Sequence, residues 1–179
     1  MVYTVGHSTR SLEELTALLE EHGVDTLVDV RRFPGSRRHP HFGGAALAAA
    51  LASHGIRYVH EEALGGRRES RPDSPHGGLR NAGFRAYADH MDSADFDAAV
   101  ARLMAAARDG APAVMCAEAV PWRCHRWLLS DALLARGARV LHIMGDGPVR
   151  AHTLHPDGRL VGEGRVAYPP PQASLFEDG

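Results

Sequence analysis

Residues 2–30 read VYTVGHSTRSLEELTALLEEHGVDTLVDV, and this stretch decides the expected fold. It opens with the apolar run VYTV and closes with TLVDV, and each run predicts a buried strand. Between them, SLEELTALLEEHG (11–23) has apolar side chains at helical spacing, a Ser-x-x-Glu capping box at its start and a glycine at its end. A strand, an amphipathic helix and a second strand in this order are typical of a parallel sheet.

The same alternation continues through most of the chain. Further strands are predicted at 57–61, 112–118 and 139–144, and further helices at 44–54, 84–91, 94–108 and 124–137. We therefore predict an α/β fold of the Rossmann or flavodoxin type. Its mostly parallel sheet would have five strands or slightly more, with helices on both faces.

Composition divides the chain into three segments. An α/β domain is expected at 1–150, an irregular or hairpin extension at 151–168, and a tail led by three prolines at 169–179. Because prolines hold the backbone extended, the tail should project from the body. Within the domain, 64–83 is rich in Gly, Arg, Ser and Pro with almost nothing to bury, and it predicts a long loop of the kind that binds ligands or covers sites.

The charge and the cysteines exclude some classes of function. All 20 basic residues are arginine, so a lysine Schiff base and a lysine phosphate clamp are excluded, and the formal net charge is −2.

The N-terminus lacks a signal-peptide layout, and no apolar run reaches the ~20 residues of a membrane span. We expect a cytoplasmic protein that contacts no membrane, in which Cys116 and Cys124 are free thiols or ligands.

Polar side chains follow the predicted strands where each strand ends. In open α/β sheets, ligands bind beyond the carboxyl ends of the strands, so these side chains predict a site at one edge of the sheet. They are His7, Ser8, Arg10, Asp29, Arg31, Arg37, Glu118, Cys124, His125 and Arg126.

Cations cluster at the start of the predicted helix at 124–137. Arg123, His125 and Arg126 oppose the positive end of the helix dipole there, which favours a bound phosphate or carboxylate. We expect these three side chains to hold an anionic substrate. Earlier in the chain, the side chains expected to join them are Ser8, Arg10, Arg31 and Arg37.

Two kinds of catalysis fit this edge. In the first, Glu118 and Asp29 act as general base or nucleophile in the hydrolysis of a glycosidic or phosphate ester bond, with His7 beside them. In the second, Cys124 is the nucleophile, because a helix N-terminus and two arginines would lower the pKa of its thiol. The sequence does not choose between the two.

A metal site is a third possibility for the same edge. Its ligands would come from His7, Cys116, Cys124 and His125. Their spacing matches no standard zinc pattern, so we expect neither a metal nor another cofactor.

Five segments of the chain resemble, in order and spacing, the bacterial and archaeal domain of unknown function 488 family. They are GHSTRSLEEL, LVDVRRFPGSRRHPHF, LGGRR, NAGFRAYADHM and CAEAVPWRCHR. The resemblance covers roughly residues 2–150 and implies an α/β fold. It marks the segments 7–10, 29–31 and 116–126 as family motifs, and it assigns no reaction.

The tail carries a second resemblance. QASLF (172–176) is similar to the pentapeptide by which bacterial DNA enzymes dock on the replication sliding clamp. Leu175 and Phe176 would be the buried anchors in a preformed apolar groove, and Gln172 would set the register. Ala173 stands where leucine is commoner, which should weaken the binding slightly.

Together these observations favour a hydrolase that processes DNA, in repair, and is delivered to it by the sliding clamp. The bond broken would be N-glycosidic or phosphodiester. The loop 64–83 would contact the DNA backbone and carry Phe84 or Tyr87 toward a displaced base. One alternative is a cysteine-dependent or hydrolytic enzyme that acts on a free nucleotide or small phosphorylated metabolite. Another is a non-catalytic adaptor that binds the clamp.

Overall fold

The computed structural model describes residues 1–35, 40–145 and 147–171. Within these ranges the strands are β1 (Val2–Gly6), β2 (Thr26–Asp29), β3 (Arg57–His60), β4 (Pro112–Cys116), β5 (Val140–Ile143), β6 (Arg150–Ala151), β7 (Arg159–Val161) and β8 (Arg165–Ala167). The α-helices are α1 (Leu12–Glu21), α2 (Gly44–Ser53), α3 (Ala82–Met91), α4 (Ala94–Asp109) and α5 (Arg126–Ala135). The predicted strands and helices are confirmed, with ends displaced by at most about two residues.

The main sheet has six strands in the order β3-β2-β4-β1-β5-β6. The first five are parallel, and β6 pairs with β5 in the antiparallel sense. The predicted mostly parallel α/β sheet is therefore confirmed, with the short β6 as its sixth strand. Strands β7 and β8 form a separate antiparallel hairpin within residues 159–167.

Helices cover both faces of the sheet, as the near-continuous burial of the central strands requires. Helices α1 and α2 bury their leucines in one apolar core. Helices α3, α4 and α5 contribute to the other. The connections of β1 and β4 lead to opposite faces, although these strands are neighbours. Their carboxyl ends therefore form the switch point of the sheet, where ligands bind in this class of fold.

The capping box predicted for α1 is present. The backbone N–H of Glu14 donates to Ser11 Oγ at 3.1 Å, and the backbone N–H of Ser11 donates to a Glu14 carboxylate oxygen at 2.6 Å. Beyond the helix, Gly23 has a φ of +63°, which a residue without Cβ adopts at little cost. Both ends of α1 thus follow from local sequence.

The long loop before α3 is more firmly held than its composition suggests. His76 and Leu79 are buried, so the expectation of almost nothing to bury is wrong. Asp89 of α3 accepts a 2.6 Å hydrogen bond from Ser74 Oγ and a 3.3 Å bond from the backbone N–H of Arg71. These two bonds fasten the loop to the helix that follows it.

The hairpin extension also belongs to the body. Val166 and Tyr168 are buried in the core that α3, α4 and α5 share. The Tyr168 hydroxyl donates a 2.7 Å hydrogen bond to the buried carboxylate of Asp131 in α5. None of the helices within the described ranges has the length and apolar character needed to cross a membrane.

Candidate active site at the switch point of the sheet

The carboxyl ends of β1 and β4 come into unusually close contact. A Cβ added at Gly6 would lie 1.8 Å from the carbonyl oxygen of Glu118. Beyond Gly6, the backbone N–H of His7 donates to Cys116 O at 3.0 Å, and that of Ser8 donates to Ala117 O at 2.8 Å. Ser8 has a φ of +48°, a left-handed conformation that costs energy in a residue with a side chain and is often found at functional sites.

Two cysteines and a histidine meet just beyond β4. Cys116 ends the strand, a short 3-10 helix (Pro121–Arg123) follows, and Cys124 and His125 lead into α5. His125 Nδ1 lies 4.0 Å from the Cys116 sulfur and 3.7 Å from the Cys124 sulfur. Both thiols are buried and unbridged. We call this group the thiol–imidazole cluster.

The two thiols have opposite tendencies to ionise. A hydrogen bond from Cys116 lowers the pKa of Cys124 well below its usual range, against the effect of burial, and His125 and Arg126 lower it further. The same hydrogen bond, together with burial, raises the pKa of Cys116. The backbone N–H of Arg126 also donates to Cys124 Sγ at 3.5 Å. Cys124 is therefore the more acidic of the two thiols.

Glycines of the loop after β3 lie against the cluster. A Cβ added at Gly66 would lie 2.7 Å from His125 Nδ1. A Cβ at the neighbouring Gly65 would lie 3.1 Å from the backbone nitrogen of Arg32. Because larger residues would collide at both positions, the pair of glycines brings the β2 and β3 loops to the thiols.

Three arginines lie on these loops, and we call them the arginine cluster: Arg32, Arg67 and Arg68. Arg32 donates to the backbone carbonyl of Arg67 at 2.5 Å, and Arg67 has a φ of +57°. Burial, and then the charge of Arg32, lowers the pKa of Arg68. Within the described ranges, none of the three forms an ion pair with a carboxylate. Arg123, next to Cys124, is exposed and likewise has no such pair there.

A model of one protein family, described as "Domain of unknown function DUF488", matches residues 11–133. The chain belongs to this family. The match confirms the resemblance noted in the sequence, and it includes both loops of the arginine cluster and the whole thiol–imidazole cluster. No curated protein and no solved structure matches the chain.

Asp29, expected as a catalytic carboxylate, is fully buried and saturated with hydrogen bonds. It accepts from Arg31 Nε at 2.9 Å, from Arg31 Nη2 at 2.5 Å and from the Tyr58 hydroxyl at 2.8 Å. The Arg31 guanidinium also donates to Phe42 O at 2.8 Å. A carboxylate with these donors has no free lone pair for substrate, so Asp29 does not fit the role of base and Arg31 does not fit that of phosphate ligand.

Arg126, expected as a second phosphate ligand, is also a buried structural residue. Its side chain is 1% exposed. Its guanidinium donates to the backbone carbonyls of Glu118 and Ala119, and it lies 3.5 Å from Thr4 Oγ1. Its side chain stabilises the turn after β4 and acts on the cluster as a buried positive charge.

The other residues expected at this edge have mixed surroundings. His7 is buried, stacks on Phe42 with ring centroids 4.2 Å apart, and approaches Arg31. Arg10 is half-buried and donates to the carbonyls of Gly6 at 2.5 Å and Met144 at 2.8 Å. Glu118 is exposed and Ser8 is half-buried, so both side chains are open to a ligand.

The two aromatic residues expected to meet a displaced base belong to α3 rather than to the loop. Tyr87 is fully buried, donates from its hydroxyl to Leu64 O at 2.9 Å and packs 5.0 Å from the ring of His125. It therefore positions His125, and the expected base contact is wrong for Tyr87. Phe84 is partly buried and meets Trp127 edge to face. Arg37 and the tail residues Gln172, Leu175 and Phe176 lie outside the described residues.

A cavity of about 340 Å³ lies on the other side of the start of α5, and the sequence patterns did not reveal it. Its wall includes Trp122, Trp127, Arg150 and the histidines His142 and His152. Arg150 stacks over Trp122, 5.4 Å from the ring centroid. Trp122 and Trp127, which flank Cys124 and His125 in the sequence, are the feature from which this cavity could have been predicted.

Behind this cavity runs a chain of buried hydrogen bonds. His152 lies 2.8 Å from Asp131, and His142 lies 3.1 Å from His152 and 2.7 Å from Thr4 Oγ1. Because Asp131 only accepts, His152 donates to it from Nε2. Burial, and then the neighbouring His152, lowers the pKa of His142 to about 3. Its ring is therefore neutral at physiological pH.

Proposed function

We propose that the chain is an enzyme that hydrolyses a bond in DNA, with its reaction in the crevice beyond β1 and β4. The observation that carries the proposal is the arginine cluster. Arg32, Arg67 and Arg68 form no ion pair with a carboxylate among the described residues, and they lie on loops whose Gly66 packs against His125 of the thiol–imidazole cluster. Phosphate oxygens supply the missing negative charge, and arginine binds them with paired hydrogen bonds.

Glu118 supports the hydrolytic part of the proposal. Its side chain is exposed at the mouth of the crevice, and within the described residues its carboxylate has no hydrogen bond or ion pair. A free carboxylate there can accept a proton from an attacking water. The bond broken is N-glycosidic or phosphodiester, since water cleaves both and a carboxylate assists in both. Asp29 takes no part, because its lone pairs are occupied.

The arginine cluster yields a quantitative prediction. Replacing Arg67 with asparagine, which tolerates the left-handed backbone, should weaken DNA binding and reduce the slope of log K against log salt by about 0.9 for one lost phosphate contact. The measurement is fluorescence anisotropy of a labelled oligonucleotide at several salt concentrations. Arg57→Asn is the matched control, because Arg57 is exposed at the amino end of β3, the opposite edge of the sheet. Equal slopes for wild type and both variants would contradict the proposed role.

Recruitment by the sliding clamp is the second part of the proposal, and it rests on the sequence QASLF at 172–176. Tyr168 is buried and anchors the chain, whereas the prolines 169–171 that follow are exposed. The peptide therefore begins from a fixed point at the surface. Tethering raises the effective concentration of the enzyme at DNA, which suits a chain with a net charge of only −2.

The clamp-binding prediction is tested by titrating the intact chain with the purified sliding clamp of its host. Micromolar binding is expected, and the Leu175→Ala/Phe176→Ala double variant should lose it, because the two apolar anchors supply most of the binding energy. A Glu177→Ala/Asp178→Ala variant, which alters the same tail without touching the anchors, should retain most of the affinity. If wild type and anchor variant bind equally, or neither binds, recruitment through this peptide is wrong.

A further inference from the structure

We infer that Cys116, Cys124 and His125 form a binding site for a zinc ion. In a tetrahedral zinc site with Zn–S bonds of about 2.3 Å and Zn–N bonds of about 2.0–2.1 Å, neighbouring sulfur and nitrogen ligands lie about 3.6 Å apart. The two distances from His125 Nδ1 to sulfur are 3.7 and 4.0 Å. All three ligand atoms lie within 4.8 Å of one another. Each nitrogen–sulfur distance would need to shorten by at most about 0.4 Å to match this geometry.

The chemistry of the three donors favours zinc over the hard cations. Thiolates and imidazole are the usual zinc ligands, whereas magnesium and calcium are held by oxygen. No carboxylate belongs to the group within the described ranges. Both sulfurs are buried and lie near each other without a disulfide, as is common for a pair of metal-binding cysteines.

Neighbouring residues hold the three proposed ligands in position, as a metal site requires. Tyr87 packs against the His125 ring, and the missing side chain of Gly66 leaves room for the ring to turn Nδ1 toward the sulfurs. The backbone N–H of Arg126 donates to Cys124 Sγ. Such outer contacts orient metal ligands and tune the charge on them.

The charges also balance around such an ion. Two thiolates neutralise Zn²⁺, and a hydroxide on the metal would make the centre singly negative. The guanidinium of Arg126 is 1% exposed and has no carboxylate partner within the described residues. A negatively charged centre beside it compensates a buried positive charge that backbone carbonyls and Thr4 contact but do not neutralise.

Three protein ligands leave the fourth position to water, which is the pattern of catalytic rather than structural zinc. This consequence rests on the proposed hydrolysis. A zinc ion held there would lower the pKa of a bound water toward neutrality, Glu118 would accept the proton, and the oxygen of that water would form the new bond to phosphorus or to the sugar carbon. The bond to the leaving group breaks, and the leaving group takes up the proton. Water is the only co-reactant.

The test measures metal in the full-length chain and needs no substrate. After growth with added zinc and purification without chelator, the wild type should hold about one zinc per chain by mass spectrometric metal analysis. Cys116→Ser, Cys124→Ser and His125→Ala should each lose most of it. His54→Ala is the matched control, because His54 is exposed and its ring contacts Glu20, outside the site. It should keep its zinc.

A second measurement guards against variants that fail to fold. Cobalt added to the reduced, metal-free wild type should give the near-ultraviolet charge-transfer band of sulfur-bound cobalt. His125→Cys should retain that band and intensify it, because a third sulfur replaces nitrogen. Substoichiometric zinc in the wild type with no cobalt band would overturn the inference, and would return Cys124 to consideration as a metal-free nucleophile.

The outcomes separate this inference from the proposed function. Arg67→Asn should keep full zinc content while binding DNA weakly. A chain that holds zinc but neither binds nor cleaves DNA retains the metal site and loses the proposed function. A chain that binds DNA without holding metal retains the proposed DNA binding and loses the metal site.

Discussion

Replacing Asp29 with alanine is expected to lower the free energy of unfolding by about 3–5 kcal/mol, because it leaves a buried guanidinium without its counter-charge. Asp29 is 0% exposed and its partner Arg31 is 7% exposed. The substitution also removes an acceptor from the Tyr58 hydroxyl. Urea unfolding followed by far-ultraviolet circular dichroism measures the loss.

Two further variants separate the charge from the hydrogen bond. Tyr58→Phe removes one donor to the carboxylate and should cost only about 1 kcal/mol. The double variant Asp29→Leu/Arg31→Met removes both charges and should recover much of the stability that the single change loses, because no unpaired ion remains. An Asp29→Ala chain as stable as wild type, but without activity, would instead support the catalytic role that the sequence suggested.

Replacing Gly6 with alanine should be at least as damaging, with a loss of about 4 kcal/mol or failure to accumulate folded chain. The added Cβ would lie 1.8 Å from Glu118 O and 2.9 Å from Ala119 Cα. Both are backbone atoms held by the turn after β4, so no side-chain rotation relieves the collision. Thermal unfolding monitored by circular dichroism gives the measurement.

Gly162→Ala is the control for this change. Gly162 lies in the β7–β8 turn with no atom within 4 Å of an added Cβ, and its replacement should change stability by less than about 0.5 kcal/mol. If Gly6→Ala folds partially, the turn that carries the thiol–imidazole cluster should be displaced, and zinc content should fall with stability. A Gly6→Ala chain with wild-type stability would show that the β1–β4 contact is looser than described.

The fold could be predicted because its signals are local. The leucines of α1 recur at helical spacing, Ser11 and Glu14 close the start of the helix, and Gly23 ends it. The short β6 carries no such signal. Its two residues are exposed, and only their pairing with β5 makes them a strand.

The candidate site could be predicted only as a region, because its contacts join distant parts of the chain. Cys116 and His125 are separated by a turn and meet only because β4 ends where α5 begins. Their spacing therefore matches no local metal pattern. Gly66 reaches the same point from the β3 loop, which no spacing rule could indicate.

The arginines show the limit of reasoning from charge alone. Arg126 was expected to need an external anion at the start of α5. Its side chain instead turns back onto the carbonyls of Glu118 and Ala119. Arg32 and Arg67 do not stand at the start of a helix, and they have no carboxylate partner in the described part of the chain. Which arginine binds an internal acceptor depends on the path of the backbone.

The position of β4 governs when a growing polypeptide can fold. Strands β1 and β2 lie on either side of β4 and do not touch each other in the sheet. During synthesis, β1 therefore cannot join β2 and β3 in the sheet until residues 112–116 have emerged, by which time α3 and α4 are present. A ribosome that stalls before that point leaves β1 unjoined to the β2–β3 pair, and we expect such a chain to be a substrate for chaperones and proteases rather than a smaller version of this protein.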